Sequence, residues 1–149
     1  MAKKGPRVHL IAGDVEQEME AFREVSPDRF HNLGLCKQAI GSLAAGLAIE
    51  RLGPVIYSIT PFVPEGPYEK VKIDIDEQSL PVMLAGYSDY PADESIHWPC
   101  NSEITVSTFK NLMNFFTATS DHAKKAMLDA YLMNVPSMIF HKRDGLPNV

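Results

Sequence analysis

Short apolar runs alternate with longer, helix-patterned stretches along the chain, and this alternation restricts the fold more than any other feature. The runs at 7–12 (RVHLIA), 55–59 (VIYSI), 80–85 (LPVMLA), 113–117 and 137–141 (SMIFH) read as buried strands, with a shorter one at 30–33. Between them lie helical patterns at 15–24, 37–52, 104–111 and 120–134. Strands that alternate with helices pack as a mostly parallel sheet flanked by helices, so the expected class is α/β. Gly53-Pro54 is expected to end the 37–52 helix, and Ser120 to cap the helix that runs to about Asn134. Residues 68–77 stay open between helix and strand, because Val71, Ile73 and Ile75 alternate. Pro61, Pro64 and Pro67 enforce a loop before them, since each lacks an N–H and disfavours helix at the preceding residue. Residues 86–100 read as a long polar loop, a kind of segment that is often functional.

The chain has 149 residues, of which 45% are hydrophobic and 22% charged. That is one domain's worth with a core of its own, expected over 1–149 with its packed part at about 7–143. The net charge of −5 and the lack of a dense Lys/Arg patch argue against a nucleic-acid partner. No apolar run is long enough for a membrane span or a signal peptide. Cys36 and Cys100 form neither a CxxC pair nor a disulfide framework, so a reduced, cytoplasmic protein is expected. His9, His31, His122 and His141 have no metal-ligand spacing, and no G-x-S-x-G, G-x-G-x-x-G or P-loop pattern is present.

Two stretches carry a specific resemblance. Residues 26–50, SPDRFHNLGLCKQAIGSLAAGLAIE, resemble the PDRFxNxGIAEQxxxxxAAGLAxE segment of the pyrimidine-binding (Pyr) domain in transketolase-like thiamine diphosphate enzymes. Residues 55–72, VIYSITPFVPEGPYEKVK, followed by Leu80-Pro81-Val82, resemble that family's YSITPFLxxRAYEQIK…LPV. The end of the chain, 119–140, is similar in weaker form. The resemblance implies a thiamine diphosphate-binding (Pyr) domain-like fold that holds the cofactor's aminopyrimidine. A second, PP-type domain would hold the diphosphate through Mg2+ or Ca2+. The PP signature, Gly-Asp-Gly followed by Asn-Asn, is approached here only by Gly13-Asp14-Val15. The implied partner is therefore a PP-domain subunit, in a homodimer or hetero-oligomer, with thiamine diphosphate bound only at the interface.

One residue departs from the family's GxxEQ motif. That glutamate bonds the pyrimidine N1′ and promotes the imino tautomer, whose amine deprotonates the thiazolium carbon. Here the motif reads Gly34-Leu35-Cys36-Lys37-Gln38, with Lys37 at the glutamate position. An ammonium can donate to N1′ but disfavours a second positive charge on the ring beside it. Losing a positioned acid–base group weakens such a relay by orders of magnitude. Lys37 therefore marks lost activation, or a desolvated lysine that substitutes in part, or a solvated surface residue. Phe62 falls where the family's Phe stacks on the pyrimidine, and can equally be a core residue. Gly66 replaces the family's Arg. Gln38 and Tyr68, with Glu69, keep the family's residue types, and Tyr68 fits an interface or a mere helix start. His97 falls near a substrate-side His and is otherwise an ordinary loop residue. Cys36 is a reactive thiol near a helix N-terminus or a small buried hydrophobe, and Asp74, Asp76 and Glu77 read as a solvated acidic face.

Two functions follow as expectations. The chain is the Pyr subunit of a split transketolase-like enzyme acting on sugars or sugar phosphates, with impaired or altered cofactor activation. Alternatively it is an inactive domain used as scaffold or regulatory subunit, with the small-residue helix 37–52 at a dimer interface.

Overall fold

The computed structural model describes residues 5–15, 19–88 and 102–142. Six strands are described: β1 Val8–Ala12, β2 Phe30–Asn32, β3 Gly53–Ile59, β4 Met83–Ser88, β5 Met113–Thr117 and β6 Ser137–Lys142. They form one sheet in the order β2-β1-β3-β4-β6-β5, and every pairing is parallel. The expected class therefore holds. The central strands are apolar on both faces because helices cover both faces.

Alternate residues of each strand feed two cores. Ile11, Ile56, Leu84, Met138 and Phe140 face α2 (Lys37–Ile49), α3 (Tyr68–Lys70, continued as a π-helix over Val71–Asp76) and α4 (Ser102–Ser107). Val8, Leu10, Val55, Tyr57, Met83, Ala85 and Ile139 face α5 (Ser120–Met133) and α1 (Glu20–Val25). Helix α2 buries Ile40, Gly41, Ala44, Ala45 and Ala48, a stripe at helical spacing. Its small residues are used within the chain: a Cβ at Gly41 would come within 2.9 Å of the Lys70 Cβ. The buried stripe packs within its own domain, while Ala39, Ser42, Gly46 and Ile49 lie on the exposed side of the helix. A Cβ at Gly46 would meet nothing within 4 Å.

Several boundaries differ from expectation. Gly53 and Pro54 do not merely stop a helix; they begin β3, with the Gly53 amide donating to the Arg7 carbonyl at 2.8 Å. Helix α2 ends earlier, before Arg51 at φ 61°. Residues 68–76 are helical, with Glu77 as the cap, since Val71 and Ile75 are buried while Ile73 is exposed. Strand β4 starts later and runs through Gly86, which was expected to open a loop. Only glycine fits there: a Cβ would lie 2.9 Å from the Thr60 Cα and 2.9 Å from the Met138 Cε. The first helix spans Glu20–Val25, and α4 starts at Ser102. The cap of α5 is Thr119 rather than Ser120: its side chain accepts the His122 amide at 3.3 Å. No helix among the described residues is long and apolar enough to cross a membrane.

Candidate functional site

The chain leaves β1 toward β2 on one side and leaves β3 toward β4 on the other, so the crevice between β1 and β3 opens at their carboxyl ends. Ligands of open parallel sheets bind at such a switch point. Gly13 follows β1 there. A Cβ on it would meet the Ile40 Cδ1 at 3.0 Å and the Gly34 carbonyl oxygen at 3.4 Å, so the β1 and β2 ends approach closely. Asn32 ties them: its Oδ1 accepts the Gly34 amide at 2.8 Å and the Asp14 amide at 3.3 Å. The Asn32-Leu33-Gly34 spacing is an Asx turn, and Gly34 sits at φ 58°, where glycine is favoured. Sequence reasoning missed Asn32, though that turn signal was legible.

The turn delivers the chain to Lys37, the first residue of α2, while Phe62 closes the short 3-10 turn Thr60–Phe62 directly after β3. The two side chains meet. The Lys37 Nζ stands 3.5 Å from the centre of the half-buried Phe62 ring, a cation–π contact. Beside it, Gln38 Nε2 donates to the Gly66 carbonyl at 2.9 Å. Lys37, Gln38, Phe62 and Gly66 thus form one constellation. Tyr68 begins α3 and serves its attachment: its hydroxyl bonds the Thr108 Oγ1 at 2.9 Å, and its ring stacks on Phe109 at 5.2 Å. Glu65 accepts the Ser102 hydroxyl at 2.5 Å, joining the proline-rich loop to α4. His97 lies outside the described residues.

Two secondary readings change. Cys36 is exposed rather than a buried hydrophobe. Asp76 is only 1% exposed, not part of a solvated face, while Asp74 accepts the Ser42 hydroxyl at 2.9 Å. Among the described residues no cluster of three His, Cys, Asp or Glu side chains could hold a metal. A cavity of about 610 Å3 lies elsewhere, at the amino ends of the strands, lined by Arg7, Arg51, Gly53, Pro81 and Tyr131. Its position opposes the end at which parallel sheets bind ligands.

No protein-family model matches the chain. It is 29% identical over 131 residues to the 1-deoxy-D-xylulose-5-phosphate synthase of Methylobacillus flagellatus, which covers 87% of this chain and 21% of that protein. It is 33% identical over 87 residues to the same-named protein of Alkalilimnicola ehrlichii, covering 57% of this chain and 14% of that one. Among solved structures, a split-gene transketolase described as an inactive beta4 tetramer superposes with a TM-score of 0.86 at 21% identity, over 99% of this chain and 48% of that one. The fold is the transketolase Pyr-type α/β fold. A transketolase mutant from Pichia stipitis agrees, with a TM-score of 0.75 at 15% identity over 97% of this chain and 24% of that one. The chain is thus homologous to a segment of the synthases, and spans about a fifth of the length of the Methylobacillus flagellatus protein.

Proposed function

We propose that this chain is the Pyr-type half of a split transketolase-like thiamine diphosphate enzyme that acts on sugars or sugar phosphates with a separately encoded PP-type subunit. The observation that carries the reading is the meeting of Lys37, Gln38 and Phe62 at the carboxyl ends of β1–β3. In the family resemblance these positions, together with Tyr68, fall on the motifs at the pyrimidine. The split-gene transketolase with the same fold supports a two-chain arrangement. The partner chain would supply the diphosphate and divalent-metal site.

The residues present keep Phe62 but lack the acid that the family pattern places at the aminopyrimidine N1′. The ring face of Phe62 already carries the Lys37 ammonium, and no carboxylate stands at the head of α2. Conventional activation at N1′ is therefore absent from this half. That same observation favours a second reading, an inactive domain that scaffolds or regulates the assembly.

Isothermal titration of thiamine diphosphate into the chain mixed with its PP-type partner tests the first reading. Binding by the mixture is expected, and its absence sinks the cofactor role. Ketol transfer by the mixture separates the two readings. Activity that falls on Lys37→Ala supports an altered enzyme. No activity in either the native protein or Lys37→Glu supports the scaffold.

A further inference from the structure

We propose that Lys37 is the built-in occupant of the Phe62 ring face, and that residue 66 is glycine so that the lysine can lie there. Two departures from the family pattern, far apart in sequence, then form one device. The ammonium sits 3.5 Å from the ring centre, close enough for the ring quadrupole to hold it. Its stem reaches that place across the loop that follows Phe62. A Cβ at residue 66 would lie 2.7 Å from the Lys37 Cδ and 3.1 Å from the Phe62 carbonyl oxygen. Any larger side chain there must push the stem away or deform the loop.

The loop is poorly able to yield. The Glu65 and Gly66 amides both donate to the Pro61 carbonyl, at 3.2 and 3.3 Å. Gln38, the neighbour of Lys37, holds the Gly66 carbonyl from the other side. Nor is Gly66 needed for a left-handed backbone, since Gly34 is the described glycine with positive φ. It is glycine for space, and the group that uses the space is the lysine stem.

A planar heteroaromatic ring and the Lys37 ammonium cannot share one face of Phe62. Lys37 is thus a specificity-determining gate. It must swing out before a ring can stack, and this consequence rests on the cofactor reading above.

The gate is tested in the full chain by NMR. The Lys37 ε-methylene protons, assigned by comparison with Lys37→Arg, are expected upfield of those of the other lysines because they lie over the phenyl ring. The displacement should vanish in Phe62→Leu and in Gly66→Ala. Ordinary lysine shifts in the native protein overturn the contact, and a shift unchanged in Gly66→Ala overturns the role of residue 66. If Gly66→Ala fails to fold, Lys37→Ala, at the half-buried first position of a helix, clears the ring face and keeps the gate testable. Its affinity for thiamine should exceed the native one by roughly fivefold, an ordinary cation–π contact converted to a binding ratio. Equal, measurable affinities overturn the gate. If neither protein binds thiamine while the upfield shift is present and lost in Phe62→Leu, the contact stands and the cofactor reading falls.

Discussion

Asp76 holds the segment that leads into β5. Its Oδ1 accepts the Asn111 and Leu112 amides at 2.8 Å each, its Oδ2 accepts the Lys110 amide at 2.9 Å, and its carbonyl accepts the Asn111 Nδ2 at 2.7 Å. Replacing the side chain strands three N–H groups around a buried site. Asp76→Ala should therefore lower stability by about 3 kcal/mol, read as a shift in urea midpoint. Asp76→Asn should lose less, since one oxygen survives while an amide donor opposes the Lys110 N–H. Equal midpoints for native and Asp76→Ala proteins would refute the clamp.

His9 carries a different dependence. Its Nδ1 lies 3.0 Å from the His31 Nε2, and the rings are parallel. One ring must donate and the other accept, so the bond fails when both are protonated. Burial first, then the neighbouring His31 and Arg29, holds His9 below its usual 6.5. Burial acts the same way on His141. A depressed histidine means that the unfolded chain binds protons more readily. The associated stability is present above pH 6.5 and is lost as pH falls through the folded values. Thermal unfolding should occur at lower temperature at pH 5.5 than at 7.5, and His9→Gln should flatten part of that slope. A melting temperature indifferent to pH over this interval would contradict the argument.

At the scale of elements, helix ends are decided by geometry finer than residue type. Thr119 and Ser120 are both good caps. Thr119 takes the role because its backbone is extended, with φ −133° and ψ 164°, so its oxygen can turn back onto the His122 amide. Thr119→Ala should cost about 1 kcal/mol, seen as a lower chemical-denaturation midpoint. At the other end Asn134 adopts the left-handed conformation at φ 54°, where Asn is among the better-tolerated residues. Helix α2 illustrates the same rule for packing. Its small residues suit a subunit face or an internal one, and the fold turns Gly41, Ala44, Ala45 and Ala48 inward while Ala39, Ser42 and Gly46 stay exposed.

At the scale of the whole molecule, several large apolar side chains stand out to solvent. Leu35 is 73% exposed beside Lys37, and Ile104 is 67% exposed on α4. Exposed apolar groups of this kind mark interaction surfaces when they cluster. Sedimentation at micromolar concentration should reveal a dimer or larger species, or a complex once a PP-type chain is added. A strict monomer under both conditions would count against the subunit role.

The alternation of apolar runs with helical stretches was enough to specify a parallel α/β sheet, because burial on both faces requires strands that are apolar throughout. The family resemblance singled out Lys37, Gln38 and Phe62, which the fold brings to one end of that sheet. Only the folded chain decided the rest. Asp76 became an internal clamp, Gly86 became a strand residue beneath Thr60, and Lys37 came to rest on Phe62 across Gly66. Each of these depends on contacts between segments distant along the chain, and local pattern carries no record of which atoms will be within 3 Å once the sheet has closed.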